Sequence, residues 1–106
     1  MDKLFSLFYM QKKFQKQLRN DIYSQEYREK MIMACFAELN EMLSETPWKP
    51  WKKEQTYNIE NFRHELIDLW HFVINLSLAV GYDKNTLYND FIKKHNINIK
   101  RQKNGY

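Results

Sequence analysis

An all-α fold, a four-helix bundle in outline, is predicted by three observations. The 106 residues include 2 glycines and 2 prolines, too few for the turns that a sheet protein needs. Valine occurs only at Val73 and Val80, so the supply of β-branched residues is thin. Apolar residues recur at helical spacings along most of the chain. At this length one domain is expected over residues 1–106, with no room for a second independent core. The composition, 43% apolar and 28% charged, is that of a folded domain rather than a disordered chain.

Four segments carry the periodicity. In the first, Leu4, Leu7, Phe8, Phe14, Leu18 and Ile22 recur at helical spacings, with Lys12, Lys13 and Lys16 between them. Ser24 is placed to cap a second helix from about Gln25 to Glu45. Residues 46–58 hold both prolines and form a connecting loop. Asn58 then caps a third helix to about Val80, where Gly81 supplies a stop. Asp83 opens a fourth, with Leu87, Phe91 and Ile92 as its stripe, and little periodicity follows His95. That final stretch is expected to be mobile until a ligand arrives.

The third segment is apolar around nearly its whole circumference, through Leu66, Ile67, Leu69, Trp70, Phe72, Val73, Ile74, Leu76, Leu78, Ala79 and Val80. Such a helix is stable when covered on all sides, and three companions do not surround it. A second copy of the chain is therefore expected over part of it, as a two-fold homodimer or a homotetramer.

Charge is unevenly distributed. Residues 93–106 hold Lys93, Lys94, Lys100, Arg101 and Lys103 and no acid, whereas the other 92 residues carry 12 basic and 13 acidic groups. The basic tail over 93–106 therefore points to an anionic partner for that segment. The lone Cys35 excludes an internal disulfide and suits a reducing cytoplasm. No apolar run long enough for a membrane span and no leader-like cleavage site is visible, so a cytoplasmic location without membrane contact is expected.

The second segment carries Glu38, Glu41 and Glu45 at i, i+3 and i+7, and the third carries Glu65 and Asp68 at i, i+3. Both sets sit inside apolar runs, with only Arg63 and His64 as nearby basic groups. One reading is that these are solvated faces of amphipathic helices. The other is a hard divalent cation held between the two helices, since buried carboxylates without a counter-charge are costly. Oxygen-only ligands suit Mg²⁺ or Mn²⁺.

Glu38-Leu39-Asn40-Glu41, a Pro/Trp-containing loop and then Glu65-Leu66-Ile67-Asp68 resemble the ExxE…ExxD signature of the all-α nucleoside triphosphate pyrophosphatases, which include the MazG-like enzymes and the dimeric dUTPases. Glu45 with Trp48-Lys49-Pro50-Trp51, the Asp68–Phe72 run, Met10-Gln11, and Lys94…Asn98…Arg101-Gln102…Gly105-Tyr106 are similar to further motifs of the dimeric dUTPase branch. Pro50 stands where that branch has an aromatic residue, and His64 where a second glutamate is common.

The resemblance implies Glu38, Glu41, Glu65 and Asp68 as Mg²⁺ ligands, with Mn²⁺ as a substitute. It places Glu38 and Glu41 in catalysis, Glu41 orienting or deprotonating the attacking water, and leaves Glu45 as a ligand or a supporting group. Lys94, Asn98, Arg101, Lys103 and Tyr106 would contact substrate phosphates. Gln11, Trp51, His71 and Asn75 would receive the base, an amide matching the donor and acceptor edge of uracil. The implied reaction is Mg²⁺-dependent hydrolysis of dUTP to dUMP and pyrophosphate. Another nucleoside triphosphate such as dCTP is the alternative substrate. A helical module binding nucleic acid through its tail is a more distant alternative, and no stable nucleic-acid partner is expected.

Overall fold

The computed structural model describes residues 2–105, and every regular element among them is helical. The four helices are α1 (Lys3–Gln17), α2 (Gln25–Ser44), α3 (Ile59–Ala79) and α4 (Lys84–Lys103). The expected caps form. The Ser24 hydroxyl accepts from the Tyr27 amide and the Asn58 side chain from the Asn61 amide. Asp83 accepts from Asn85 and Thr86, and Thr86 accepts back from the Asp83 amide to complete a capping box. Gly81 follows α3 at φ 86°, the left-handed conformation that a helix stop uses.

The first helix is shorter than its apolar pattern. It stops at Gln17 because Arg19 takes φ 59°, while the Arg19 and Asn20 amides bond back to Lys16 and Gln15 carbonyls. Ile22 lies beyond that turn and still reaches the core. The stretch after His95, expected to be mobile, is instead helical to Lys103. Nothing in it breaks a helix, and Lys100, Arg101 and Lys103 in the last turn suit the negative end of the helix dipole. An apolar stripe is needed to bury a helix, not to hydrogen-bond one, and α4 buries no residue.

α2 and α3 form a long hairpin, closed where the Asn58 amide donates to the Glu45 carbonyl at 3.2 Å. α1 packs against α3, and α4 meets α1 near its own start, where Lys84 pairs with Asp2 at 3.2 Å. The core lies at one end of the hairpin, built from Phe8, Ile22, Tyr27, Ile74, Leu78 and Ala79, with Met31, Tyr82 and Leu87 against it. Gln15 is buried beside it and accepts from Tyr27 Oη at 2.9 Å and Asn20 Nδ2 at 2.8 Å, so no polar group is stranded there.

The rest of the hairpin is open. Radius of gyration is 17.2 Å, against about 13 Å for a compact chain of this length. The accessible surface is 8807 Å², where a compact monomer of 13.1 kDa exposes about 6,400 Å². Phe36, Ile67 and Trp70 are more than half exposed, and Leu66, Leu69, Trp70 and Val73 line a wholly apolar hollow on α3. No helix among the described residues is long and apolar enough to cross a membrane.

Candidate metal centre

The hairpin's antiparallel pairing sets the Glu38 turn of α2 against the Glu65 turn of α3. Carboxylate oxygens of Glu38, Glu65 and Asp68 all lie within 4.8 Å of one another. Glu38 and Glu65 are half-buried and Asp68 is exposed, so the group forms a rim that opens outward.

Glu38 Oε2 is buried without a hydrogen-bond partner, the one such side-chain atom among the described residues. Burial raises the Glu38 carboxyl from the usual 4.5 to about 7, reinforced by the Glu65 carboxyl beside it and by the charges of Glu41 and Asp68. Glu41 is exposed, and its carboxyl is also raised, first by its contact with Glu65 and by that group's charge. Burial and neighbouring carboxylates thus disfavour the charge on Glu38, and Glu65 disfavours that on Glu41. Arg63 and His64 line a shallow hollow with Asp68, yet neither comes within 4.0 Å of a carboxylate oxygen among the described residues. A divalent cation would supply positive charge at this all-oxygen site and a partner for the orphaned Oε2. The donor set fits Mg²⁺ or Mn²⁺.

Glu45 is not in the close group; it is the C-cap of α2, and its carbonyl closes the hairpin. Of the residues expected at the base, Gln11 and Asn75 are brought together. Gln11 Nε2 donates to Asn75 Oδ1 at 2.9 Å, and Asn75 Nδ2 reaches Met31 Sδ at 3.6 Å. Asn75 is only 3% exposed and Gln11 is half-buried. Met31 was not among the expected site residues, and no spacing in the sequence marks it as a partner of Asn75. His71 is exposed, with Nδ1 placed to donate to the Ile67 carbonyl at 2.8 Å. Trp51 stays in the 46–58 loop, edge-on to Trp48 with ring centroids 5.5 Å apart. The loop is held by Gln55, which bonds the backbone of Lys49 and Lys52.

The structure does not bring the basic segment to the carboxylates within one chain. Lys94, Asn98, Arg101 and Lys103 are exposed on the outer half of α4, whose packing on α1 and, through Leu87, on the core lies at its start. Tyr106 lies outside the described residues.

The fold and the site define a class of all-α protein with acids from facing helix turns converging on one rim. Within that class, residues 3–86 match the profile of a family described as dUTPase, and the chain belongs to it. The match ends at the start of α4, so the basic half of that helix lies beyond it. Over 100 residues, 83% of this chain, it is 26% identical to the dCTP pyrophosphatase of Enterobacteria phage T4, of which the match covers 58%. Over 71 residues, 56% of this chain, it is 32% identical to the dCTP pyrophosphatase of Enterobacteria phage LZ5, covering 41% of that protein. The chain thus spans about half the length of these curated relatives. No solved structure gives a significant match.

Proposed function

We propose that the protein is a divalent-cation-dependent nucleoside triphosphate pyrophosphatase, acting on a deoxypyrimidine nucleotide to release the monophosphate and pyrophosphate. The observation that carries this reading is the convergence of Glu38, Glu65 and Asp68 oxygens within 4.8 Å, with a Glu38 oxygen buried and unpartnered. Family membership favours dUTP as substrate. The names of the two curated relatives favour dCTP as the second reading.

Glu38, Glu65 and Asp68 would hold Mg²⁺, with Glu41 beside them. When bound, the ion screens the anionic triphosphate and polarises its phosphoryl oxygens. Glu41, exposed and with its carboxyl raised by Glu65, is the group placed to take a proton from the attacking water. The phosphorus–oxygen bond to pyrophosphate breaks as the water oxygen bonds to phosphorus. Gln11 presents the amide edge to the base, and buried Asn75 acts by fixing the Gln11 amide. Lys94, Asn98, Arg101 and Lys103 neutralise phosphate oxygens, supplied from α4 by motion or by a second copy. A homodimer covers the apolar surface of α2 and α3; the excess of roughly 2,400 Å² over a compact monomer is of the size that stable interfaces bury.

The direct test is pyrophosphate release from dUTP, dCTP, dTTP and UTP, each with and without Mg²⁺. Release from dUTP or dCTP that stops when Mg²⁺ is chelated is the expected result. No release from any of the four rejects the proposal.

A further inference from the structure

The helical geometry of α1 divides its surface into three sectors. Phe8 and Gln15 face the core, and Leu7, Met10, Phe14 and Leu18 form an exposed apolar sector. The third sector holds Phe5, Tyr9, Lys12, Lys13 and Lys16 within about 100° of arc. Tyr9, Lys12, Lys13 and Lys16 line one open hollow with Gln17 and Arg19, and Lys12 and Lys16 line the next with Tyr23 and Asp21.

No Asp or Glu occurs from Lys3 to Asn20. Among the described residues the ion pairs are Lys30–Glu26 and Lys84–Asp2, so no carboxylate lies within 4.0 Å of the Lys12, Lys13, Lys16 or Arg19 cations. Lys12 and Lys16, and Lys13 and Lys16, are helix neighbours of like charge and disfavour one another. Arg19 adds a further cation from the turn after the helix. Asp21, which lines a hollow with Lys12 and Lys16, forms no ion pair with them among the described residues. Counting charge along the chain hides this strip. The acids that offset the α1 lysines in the sum are placed by the fold largely on α2 and α3.

We infer that this face of α1 binds single-stranded nucleic acid, with the Lys12/Lys13/Lys16/Arg19 strip on the phosphates and Tyr9, backed by Phe5, as the stacking ring. The shape of the strip favours a strand over a lone triphosphate. Lys12 to Lys16 rises about 6 Å along the helix, and Arg19 follows in the turn beyond it, so the cations follow a line of anions rather than one cluster. An aromatic ring continues the same sector: Tyr9 is more than half exposed and is backed by Phe5, with centroids 6.1 Å apart and 22° between planes. The Lys84 ammonium lies over the Phe5 ring, 5.6 Å from its centroid. Positive charge along a groove with exposed rings is the combination that holds single strands without sequence preference. A bilayer surface would engage the apolar Leu7/Met10/Phe14/Leu18 sector instead, on another side of the helix. The inference rests on α1 alone and stands apart from the carboxylate centre and the α4 tail.

The test is fluorescence anisotropy of a labelled 20-nucleotide oligothymidine with the full chain, over a range of salt concentrations. The expected binding weakens with salt, the logarithmic slope being about −0.7 for each phosphate neutralised. Combined Lys12→Gln, Lys13→Gln and Lys16→Gln should weaken binding at least tenfold and flatten that slope by about 2. Glutamine keeps the helix propensity; circular dichroism checks the fold, and pyrophosphatase activity should be unchanged. Arginine at the same three positions should preserve binding, and Tyr9→Ala should weaken it without altering the slope. Absence of binding by the full chain, or equal binding by the glutamine variant, overturns the inference. So does a stronger loss for phosphatidylserine vesicles than for the oligonucleotide in that variant.

Discussion

The two ends of the α2–α3 hairpin solve opposite problems. At one end Tyr27 of α2 and Ile74, Leu78 and Ala79 of α3 are closed over by Phe8 and Ile22, and the polar atoms of Gln15 are satisfied. At the other, the same two helices carry Glu38, Glu41, Glu65 and Asp68; burial and the neighbouring acids raise the Glu38 carboxyl, Glu65 raises that of Glu41, and a Glu38 oxygen has no partner. One end is complete within the chain; the other is an unsatisfied site that a cation and a substrate would complete. Stability and chemistry are therefore separable along one pair of helices, and substitutions should sort by end.

The largest effect is expected at the open end. Glu41→Gln should lower Mg²⁺-dependent turnover by about 10²–10⁴ while the melting temperature barely moves, read by pyrophosphate release and thermal denaturation. Turnover within a few-fold of the original removes Glu41 from the water-activating role. At the closed end, Leu78→Ala should cost about 2–5 kcal/mol of stability, seen as a lowered melting temperature, with per-molecule activity kept below that temperature. A loss of activity without loss of stability would erase the distinction between the ends. The smallest change is expected from α4: joint Lys94→Ala and Lys103→Ala should raise KM several-fold and leave kcat near its original value. Unchanged kinetics would mean that these lysines only solvate the helix.

How far the sequence reached follows the same division. The caps at Ser24, Asn58 and Asp83 were legible because each is a short-range contest between one side chain and the backbone amides just beyond it. So was the meeting of Glu38 with Glu65 and Asp68, since helical spacing puts each set on one strip and the loop folds the helices together. The end of α1 was not legible, because Leu18 and Ile22 keep the apolar pattern through a turn that Arg19 makes with positive φ. Order in α4 beyond His95 was missed because an exposed helix shows no periodicity of burial. The bond between Gln11 and Asn75, 64 residues apart, depends on how α1 lies across α3, which no local pattern encodes.

The central claim is that the facing acids are a cation site, and titrating the full chain with Mg²⁺ by calorimetry tests it most directly. Burial and neighbouring acids hold the Glu38 carboxyl at about 7, above its ordinary 4.5, so the ion-free fold favours the protonated form. Ion-free stability from this group is present at pH below 4.5 and is lost as pH rises through 7, the range in which the ionised site becomes ready for metal. Mg²⁺ should therefore bind more tightly at about pH 8 than at about pH 6, releasing protons as it does so, and Glu38→Gln should abolish binding. Failure of Mg²⁺ to bind at either pH, or equal binding by Glu38→Gln, would contradict the account.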